Sequence, residues 1–589
     1  MTWGHAVSTD SVHWKELDDA IHPDRLGTIF SGSAVIDEKN TAGFQTGDEK
    51  VIVCIYTSAA GTNDWSKGRR FTQSIAYSND RGRTWTVYEG NPVIEHINGS
   101  NRDPKVIWHK PTNQWVMALY LDGREMGFFT SKDLKNWKLE SRLKGFHECP
   151  ELFELPVDGD TNNMRWVFYG AKGDYFLGDF DGKEFKPDGE AIGFHYGNCF
   201  YASQTFNNIP ESDGRRIQIA WGRIKTPGMP FNQCMLFPVE LTLHTTEDGI
   251  RMFAEPIREI ETLHRRKHSI GTVLLDGEKT LDDLKGQLFH ITAQFTPAGA
   301  AEFGLTVRGL PITYNVAKNT LSCKGKNAPL KLKDGKIKLE LLVDRNSIEI
   351  FANDGRVYMP IGGILPEDNK SIKLFTKGGK TKVRALEVYE LNSAWRHLTT
   401  PVGVRLLENK SFDDSDEARA EILELYKDLR LTDVLDGMDL IGLQDIGLMD
   451  NNIRPLWRDV EDFSHRIVGF AITVRHVPTD VRAGQNSFPN IAAAKKWKSE
   501  QYGRAPDAWL KVAKPNDVVV IDAGGIKETG FIGSNNSLGW AQKGVVGVVT
   551  NAGARDTDEI IKTKRIPVYC KNAHSTRGIR PGRLIAESY

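Results

Sequence analysis

A short pattern that recurs along the first 245 residues of this 589-residue chain constrains its fold more than any other feature. Each copy ends a β-rich segment in a Ser/Asp turn and opens the next segment with an aromatic residue. The clear copies cover residues 6–14, 76–85 and 129–137, and a degenerate copy covers residues 177–185. Repeats of short strands at such a spacing are typical of β-propeller blades. A plain β-sandwich with coincidental turns is the alternative.

Length and composition limit what the rest of the chain can be. A chain of this length is too long for one hydrophobic core, so two to four domains are expected. A net charge of -1 argues against nucleic acid or an anionic membrane as a partner recruited by bulk charge. No apolar run is long enough to span a bilayer. The six cysteines are scattered without a CxxC pair, which predicts neither a disulfide framework nor a zinc site.

The repeat stops near residue 255, although the composition stays β-rich. Residues 343–355 alternate in polarity and end in an Asp-Gly hairpin signal. We therefore predict a propeller over residues 1–250, a separate β-sandwich over residues 255–392 and a linker over residues 393–414.

A third domain is predicted over residues 415–589. Ser415 can act as the N-cap of a helix whose apolar residues share one face. Buried-strand runs at residues 518–521, 545–549 and 566–569 then alternate with helical stretches. This alternation is typical of an α/β domain and cannot belong to a propeller.

Two acidic motifs in the repeat region could carry general acid–base chemistry. Glu148 lies in a turn beside a proline, where apolar neighbours can raise its pKa as a general acid requires. Asp103 follows Arg102 and precedes a proline. Taken alone, the first motif could be an ordinary strand-to-loop turn and the second a surface ion pair. Retaining glycosidases need two carboxyl groups about 5 to 5.5 Å apart.

Together these motifs resemble the invertase, levanase and inulinase family, glycoside hydrolase family 32. Four motifs carry the resemblance, in the family's order: Trp3-Gly4-His5-Ala6, Phe30-Ser31-Gly32-Ser33, Arg102-Asp103-Pro104 and Glu148-Cys149-Pro150. The resemblance covers residues 1 to about 390. It implies a five-bladed β-propeller with an incomplete first blade, followed by a β-sandwich. The implied substrates are β-fructofuranosides such as sucrose, levan or inulin, and no cofactor is implied for this part.

The same resemblance implies roles for individual residues. Glu148 is expected to be the acid/base, and Asp103 to hydrogen-bond the fructosyl hydroxyls and stabilise the transition state. Arg102 is expected to help orient the site, and Phe30 and Ser31 to contact the substrate.

The sequence departs from the family pattern in two places. Cys199 stands before Phe200, where the family often has an aspartate. The family's nucleophile is an aspartate upstream of the Trp-Gly-His-Ala strand, and only Met1 and Thr2 precede that strand here. We therefore expect a fragment or a start site assigned too late, with hydrolysis strongly impaired without the aspartate. The alternative is a catalytically dead fructan-binding protein whose C-terminal domain is an interaction module. The compartment is left open.

Two loops of the C-terminal domain offer polar groups for a second site. The segment Gly533-Ser534-Asn535-Asn536 follows a strand and precedes a helix, where backbone N–H groups can hold an anion. Asp556 offers a carboxylate to a hard divalent cation, beside the guanidinium of Arg555, which can bind a substrate carboxylate. A solvated ion pair within a loop is the alternative.

This domain resembles the family of 4-hydroxy-4-methyl-2-oxoglutarate aldolases and regulators of ribonuclease activity. The resemblance rests on residues 517–522, 544–549 and 566–569 together with the two loops. It implies that Asp556 binds Mg²⁺ or Mn²⁺, and that Arg555 and the 533–536 loop hold a small 2-oxo acid. It also allows a homotrimer. The regulator branch shares the fold without this reaction, and a wrongly joined gene model remains an alternative for the whole fusion.

Overall fold

The chain forms two compact units in the computed structural model. The first unit comprises Met1–Gly61 and Gly68–Ala394, and the second comprises Thr62–Lys67 and Trp395–Tyr589. The structure describes residues 1–226, 232–282, 284, 286–366, 369–394, 415–440, 443, 448–477, 488–502, 508–523, 530–573 and 587–588. Most of the predicted linker, residues 395–414, therefore lies outside the described residues.

The first half of the larger unit is a propeller whose blades are antiparallel sheets of short strands. Blade 1 has two described strands, whereas blades 2 to 4 have four each and blade 5 has five. The strands of blades 1 and 2 are β1 (Trp3–Ser8), β2 (Trp14–Ile21), β3 (Thr28–Ile36), β4 (Ile52–Ala59), β5 (Thr72–Ser78) and β6 (Thr86–Val87). Those of blade 3 are β7 (Arg102–His109), β8 (Gln114–Asp122), β9 (Glu125–Ser131) and β10 (Lys138–Lys144).

Blades 4 and 5 share one continuous sheet, because β11 pairs in parallel with β18. Blade 4 consists of β11 (Glu151–Val157), β12 (Asp160–Tyr169), β13 (Tyr175–Phe180) and β14 (Phe185–Pro187). Blade 5 consists of β15 (Phe200–Thr205), β16 (Ile217–Gly222), β17 (Cys234–Met235), β18 (Val239–Thr246) and β19 (Gly249–Pro256). These sheets confirm the propeller and exclude the plain sandwich for this region.

The repeated Ser/Asp pattern forms the turn that joins the two outermost strands of a blade. In blade 1, Ser8 Oγ donates to Asp10 Oδ1 at 3.0 Å. Asp10 Oδ1 also accepts the backbone N–H groups of Val12 and His13. Trp14 then opens β2. Blades 2 and 3 repeat this turn with a Ser Oγ–Asp Oδ1 bond of 2.7 Å and 3.2 Å respectively. A serine and an aspartate two residues apart thus fix the turn by satisfying backbone donors locally.

A buried ion pair joins three of the blades at the propeller axis. Lys105 Nζ on β7 lies 2.9 Å from Glu151 Oε1 on β11 and donates to Thr205 O on β15 at 2.8 Å. Thr205 Oγ1 in turn donates to Glu151 Oε2 at 2.8 Å. The first strands of blades 3, 4 and 5 are therefore connected through charged groups with no access to solvent.

The second half of the larger unit is a β-sandwich of a seven-stranded and a six-stranded sheet. Aliphatic and aromatic side chains from both sheets form one core, which includes Phe289, Phe295, Phe303 and Tyr314. Asn353, Asp354 and Gly355 adopt positive φ between β29 (Ser347–Ala352) and β30 (Val357–Gly362), which confirms the predicted hairpin. The strands are β20 (His264–Ile270), β21 (Val273–Leu275), β22 (Glu278–Thr280), β23 (Phe289–Ala298), β24 (Glu302–Val307), β25 (Leu310–Asn315), β26 (Thr320–Cys323), β27 (Lys326–Pro329), β28 (Ile337–Val343), β29 (Ser347–Ala352), β30 (Val357–Gly362), β31 (Ile372–Lys377) and β32 (Lys380–Leu391).

The second unit is an α/β domain, as predicted. Its described strands are β33 (Arg454–Pro455), β34 (Phe470–Val477), β35 (Asp517–Asp522), β36 (Gly530–Ile532), β37 (Gly547–Thr550), β38 (Gly553–Ala554), β39 (Val568–Cys570), β40 (Asn572–Ala573) and β41 (Glu587–Ser588). The larger sheet has the order β33-β39-β37-β35-β34-β41, and its neighbours from β34 to β39 pair in parallel. A smaller parallel sheet has the order β36-β38-β40.

The described part of this unit has five α-helices: α1 (Asp416–Tyr426), α2 (Leu431–Leu440), α3 (Ile491–Tyr502), α4 (Ser534–Gln542) and α5 (Thr557–Thr563). The N-cap predicted for α1 is confirmed, because Ser415 Oγ accepts the N–H of Ala418 at 3.3 Å. Among the described helices of the whole chain, none combines the length and apolar composition needed to cross a bilayer.

Candidate active site

The residues predicted for the N-terminal site lie on or beside irregular stretches of the innermost strands. The pairing register shifts at Phe30–Ser31 on β3, at Asp103–Pro104 on β7 and at Ala202–Ser203 on β15. Such bulges re-aim side chains out of the regular strand pattern and are common beside active sites. Gly32 is required at the first bulge, since a Cβ there would lie 1.9 Å from the carbonyl oxygen of Ile55. The three inner strands are therefore distorted where the site residues lie.

Glu148 sits in the loop before β11, where both it and Cys149 adopt positive φ. Its Oε1 accepts from Arg102 Nη2 at 2.5 Å, and its Oε2 accepts from the hydroxyl of Tyr201 at 2.6 Å. His147 Nε2 also lies 3.3 Å from Oε1. The carboxylate is thus held by groups from blades 3 and 5 while its side chain stays partly exposed.

Asp103 is buried, and both its carboxylate and its backbone N–H are hydrogen-bonded. Its Oδ2 accepts the backbone N–H of Cys149 at 3.1 Å. Its own backbone N–H donates to Thr57 Oγ1 at 2.9 Å, and Thr57 in turn donates to Gln73 Oε1 at 2.7 Å. Its φ of 65° lies in the left-handed region, where a side chain other than glycine is strained. The surrounding bonds fix the orientation of this carboxylate.

Arg102 links the two carboxylates, since its Nε lies 3.7 Å from Asp103 Oδ2 while its Nη2 binds Glu148. Its Nη1 donates to the carbonyl and hydroxyl oxygens of Ser100, and its guanidinium stacks 4.6 Å above the ring of Tyr120. The surface ion pair considered from the sequence is therefore wrong for Arg102 and Asp103. The three predicted residues Arg102, Asp103 and Glu148 form one connected cluster.

The pKa of Glu148 moves opposite to the expectation from sequence. Burial raises this pKa, but the hydrogen bonds from Tyr201 and Arg102 outweigh burial, so the pKa lies below its ordinary value. Each carboxylate oxygen faces a donor, and the expected semi-apolar turn is therefore wrong. Asp103 behaves differently, because burial raises its pKa more than Cys149 and Arg102 lower it. The two carboxyl groups consequently have opposite shifts.

Phe30 and Ser31 lie on β3, the inner strand next to β7. Ser33 joins these strands, as its Oγ donates to Pro104 O and accepts the N–H of Val106, both at 3.0 Å. The ring of Phe30 packs edge-on against Phe71 at 5.6 Å, and the side chain of Ser31 is exposed. Among the described contacts, neither side chain has a hydrogen bond or ring contact with the Arg102 cluster, so their contact with substrate stays a prediction.

Three contributors to this site were not identified from the sequence. Tyr201 donates to Glu148, the backbone N–H of Cys149 donates to Asp103, and Thr57 supports Asp103 from blade 2. Tyr201 opens the Tyr-Ala-Ser-Gln run of residues 201–204, which also resembles family 32 and was the available signal. Cys199, which replaces an expected aspartate, is buried with its Sγ 3.3 Å from Pro360 O, on the sandwich side of the propeller.

The predicted C-terminal residues also lie near one another. Gly533 is the N-cap of α4, so Ser534, Asn535 and Asn536 form the first turn of that helix rather than a loop. A Cβ at Gly533 would lie 2.7 Å from Asp556 Oδ2, which shows how closely this backbone approaches the carboxylate. Arg555 Nη2 donates to Asp556 Oδ1 at 3.2 Å, and both side chains are about one-third exposed.

The donor set for a divalent cation at this second site is small. Asp556 is one carboxylate, and among the described residues no three His, Cys, Asp or Glu side chains converge as metal ligands. Mg²⁺ commonly keeps several waters and uses only one or two carboxylates. The described residues therefore fit a largely hydrated Mg²⁺ or Mn²⁺ held by Asp556, and they do not form an all-protein cage.

Comparison with known proteins follows the same division of the chain. Residues 1–256 match the glycosyl hydrolases family 32 N-terminal domain, and residues 259–390 match the family 32 C-terminal domain. The levanbiose-producing levanase of Bacillus subtilis strain 168 is 30% identical over 66% of this chain and 83% of that protein. The chain belongs to glycoside hydrolase family 32. A second levanase of the same strain is 39% identical over 68% of this chain and 65% of its own length.

Solved structures agree with this family 32 assignment. The exo-inulinase of Aspergillus awamori has a TM-score of 0.61 and 27% identity, over 67% of this chain and 90% of that one. Residues 431–584 match the Aldolase/RraA family model, which confirms the resemblance of the C-terminal domain. The chain spans 65% of the more similar levanase and 49% of the levanase of Bacillus sp. strain L7.

Proposed function

We propose that the propeller site hydrolyses β-fructofuranosidic bonds by a retaining two-carboxylate mechanism. The observation that carries the proposal is the cluster of Glu148, Arg102 and Asp103 at the distorted ends of the inner strands. Relatives named levanase, exo-inulinase and invertase support this substrate class. Two structures of the fructofuranosidase of Schwanniomyces occidentalis that resemble this chain are complexes with fructosylnystose and with fructose. Levan, inulin and sucrose are therefore the proposed substrates.

In this mechanism, Glu148 protonates the oxygen of the leaving group while a second carboxylate attacks the anomeric carbon. Glu148 then takes a proton from water, which releases fructose from the covalent intermediate. In the family pattern the attacking carboxylate is the aspartate upstream of the Trp-Gly-His-Ala strand. Asp103, fixed by Cys149 and Thr57, accepts hydrogen bonds from the fructosyl hydroxyls.

Protonation of Glu148 must overcome the donors that lower its pKa in the free protein. A bound sugar excludes water from the carboxyl group and offers its own glycosidic oxygen as an acceptor for the acidic proton. Both effects favour the protonated form. Tyr201 and Arg102 are then positioned to stabilise the carboxylate that forms once the proton has been transferred.

The test is fructose release from sucrose, inulin and levan by a protein that includes the upstream aspartate motif. Glu148→Gln should lower kcat by about 10² to 10⁴-fold while substrate binding is retained. Glu190→Gln, which changes an exposed glutamate, is the matched control and should keep full activity. If this protein without substitutions binds the sugars but does not hydrolyse them, the alternative of a fructan-binding protein is favoured.

For residues 431–584 we propose a metal-dependent aldolase or decarboxylase acting on small 2-oxo acids. The approach of Gly533 to the Asp556 carboxylate, with Arg555 alongside, supports this second function. Asp556 would hold Mg²⁺ or Mn²⁺ through one oxygen or through water, and the cation would supply Lewis-acid stabilisation of developing negative charge. Arg555 and the first turn of α4 would bind the substrate carboxylate. A homotrimer is proposed for this domain.

This second proposal is tested by pyruvate release from a 4-hydroxy-2-oxo acid or from oxaloacetate. Release should require Mg²⁺ or Mn²⁺, stop when a chelator is added and fall at least a hundredfold in Asp556→Ala. Asp558→Ala, two residues away in the first turn of α5, is the matched control. No release by the parent protein would favour the regulator-like interaction module, and full activity of Asp556→Ala would contradict the metal assignment.

A further inference from the structure

A cavity lies at the opposite ends of the inner propeller strands from the proposed active site. It has a volume of about 590 Å³ and is lined by the last residues of β3 and β7, by the first half of β11 and by residues 207–211. Ser31 and Asp103, in contrast, lie nearer the beginning of β3 and β7. The volume falls within the range of about 300–1,000 Å³ typical of small-molecule sites.

The buried Lys105–Glu151 pair separates this cavity from Asp103. Along β7, Asp103 comes first, Lys105 follows and Ile107 reaches the cavity. Thr205 completes the barrier by bonding to both charged groups. Since these groups are inaccessible to solvent, a ligand in this cavity cannot reach Glu148 through the axis. Ligands in the two sites therefore cannot contact each other along the axis.

The cavity wall combines indole rings with two charged groups that lack a full set of partners. Trp108 and Trp166 are half-buried, and neither indole N–H bonds to another described residue. Glu154, directly opposite Trp166 in the β11–β12 pair, has no hydrogen-bond or ion-pair partner among the described residues. Arg216 stacks 5.1 Å above Phe153, and its only described acceptor is Phe206 O at 3.3 Å.

We propose that this cavity is a non-catalytic site for a neutral carbohydrate. A sugar hydroxyl can donate to the Glu154 carboxylate and accept from the Arg216 guanidinium, so one kind of group satisfies both. The apolar face of a sugar ring can also pack on indole rings such as Trp108 and Trp166. Either the end of a polysaccharide or a free sugar offers this chemistry.

The Glu154 carboxylate, which has no described hydrogen-bond partner, indicates that the cavity is more than a packing defect. Burial raises the pKa of Glu154, and no donor among the described residues offsets this rise. A half-buried charged group without partners costs folding free energy, whereas an apolar residue of similar size would not. A ligand that supplies the missing hydrogen bonds gives this residue a function.

The experiment follows the indole N–H signals of the protein labelled with ¹⁵N-tryptophan, while fructose or levan oligosaccharides are added. Trp108→Phe and Trp166→Phe identify the two signals. Glu148→Gln is used throughout, so that the oligosaccharides are not consumed. We expect both signals to shift saturably, and Glu154→Ala to raise the apparent Kd about tenfold or more.

Glu240→Ala is the matched control, because burial also raises the pKa of Glu240 but this residue lies outside the cavity. It should leave the Kd within twofold of the parent value. Shifts with fructose would identify free sugar as the ligand, and shifts with oligosaccharides alone would identify the polysaccharide. Signals that move with neither sugar, or that move equally in Glu154→Ala, would overturn the proposal. Before sugar is added, parent-like signals from the tryptophans outside the cavity verify the fold of each variant.

Discussion

The two candidate sites each contain an adjacent Arg-Asp pair, and their surroundings differ sharply. Asp103 and Asp556 both adopt positive φ, at 65° and 52°. Arg102 binds Glu148 through Nη2 and also keeps its Nε 3.7 Å from Asp103 Oδ2, and the side chains of Arg102 and Asp103 are only 14% and 5% exposed. Arg555 stays on Asp556, and these side chains are 33% and 37% exposed. The same dipeptide therefore forms part of a buried network in one case and a local surface pair in the other.

This difference shows which interactions hold the side chains of each site in place. In the propeller, strands from blades 2, 3 and 5 and the loop before β11 all contribute a bond to Asp103 or Glu148. The site is consequently as rigid as the inner strands that form it. An exposed ion pair in contrast contributes about 0–1 kcal/mol, since water competes for both partners. The C-terminal pair is therefore free to exchange its partner for a ligand.

The largest expected effect comes from the ion pair beneath the propeller site. Lys105→Met leaves the Glu151 charge buried without its partner, and we expect a loss of about 3–5 kcal/mol in the free energy of unfolding. Guanidinium chloride denaturation measures this loss. The double variant Lys105→Met/Glu151→Leu should recover most of it, because no buried charge remains.

Arg555→Met is the matched substitution in the other site and should change stability by less than about 1 kcal/mol. A similar loss for Lys105→Met and Arg555→Met would contradict the contrast between a buried and an exposed network.

A second, smaller effect concerns the ionisation of Glu148. The Tyr201 hydroxyl lowers the pKa of this carboxyl group, so Tyr201→Phe leaves burial less opposed and the pKa should rise. The acid form of Glu148 is the active one in the first step, and kcat/KM falls as pH rises through its pKa. We therefore expect the descending limb of the pH profile to move to higher pH in Tyr201→Phe.

Tyr120→Phe provides the control for this shift, since the Tyr120 hydroxyl bonds to His147 rather than to Glu148. Its descending limb should move less than that of Tyr201→Phe. An unchanged limb in Tyr201→Phe, or a shift to lower pH, would show that Tyr201 does not set the acidity of Glu148.

The contrast also explains how much could be predicted from the sequence. Glu148, Asp103 and Arg102 could be predicted because they lie in short, ordered motifs. The propeller could be predicted because the Ser/Asp turn is local and repeats. The contact of Tyr201 with Glu148 could not be predicted, since it joins residues 53 positions apart through two different blades. The predicted rise in the pKa of Glu148 was wrong for the same reason, because the donors that lower this pKa come from other blades.

The smallest expected effect concerns Asp556, whose structural role should be slight. Asp556→Asn keeps the size of the side chain and removes only its charge, so the free energy of unfolding should change by less than about 1 kcal/mol without added metal.

In saturating Mg²⁺ or Mn²⁺ the parent domain should gain stability from binding, and Asp556→Asn should not. Thermal denaturation with and without the cation measures both effects. Asp558→Asn should keep the gain, whereas an equal gain in Asp556→Asn would assign the cation to other residues. The two sites would then differ in what stabilises them. The exposed Arg555–Asp556 pair would be stabilised by a bound cation, whereas the buried network around Asp103 is stabilised by hydrogen bonds within the fold.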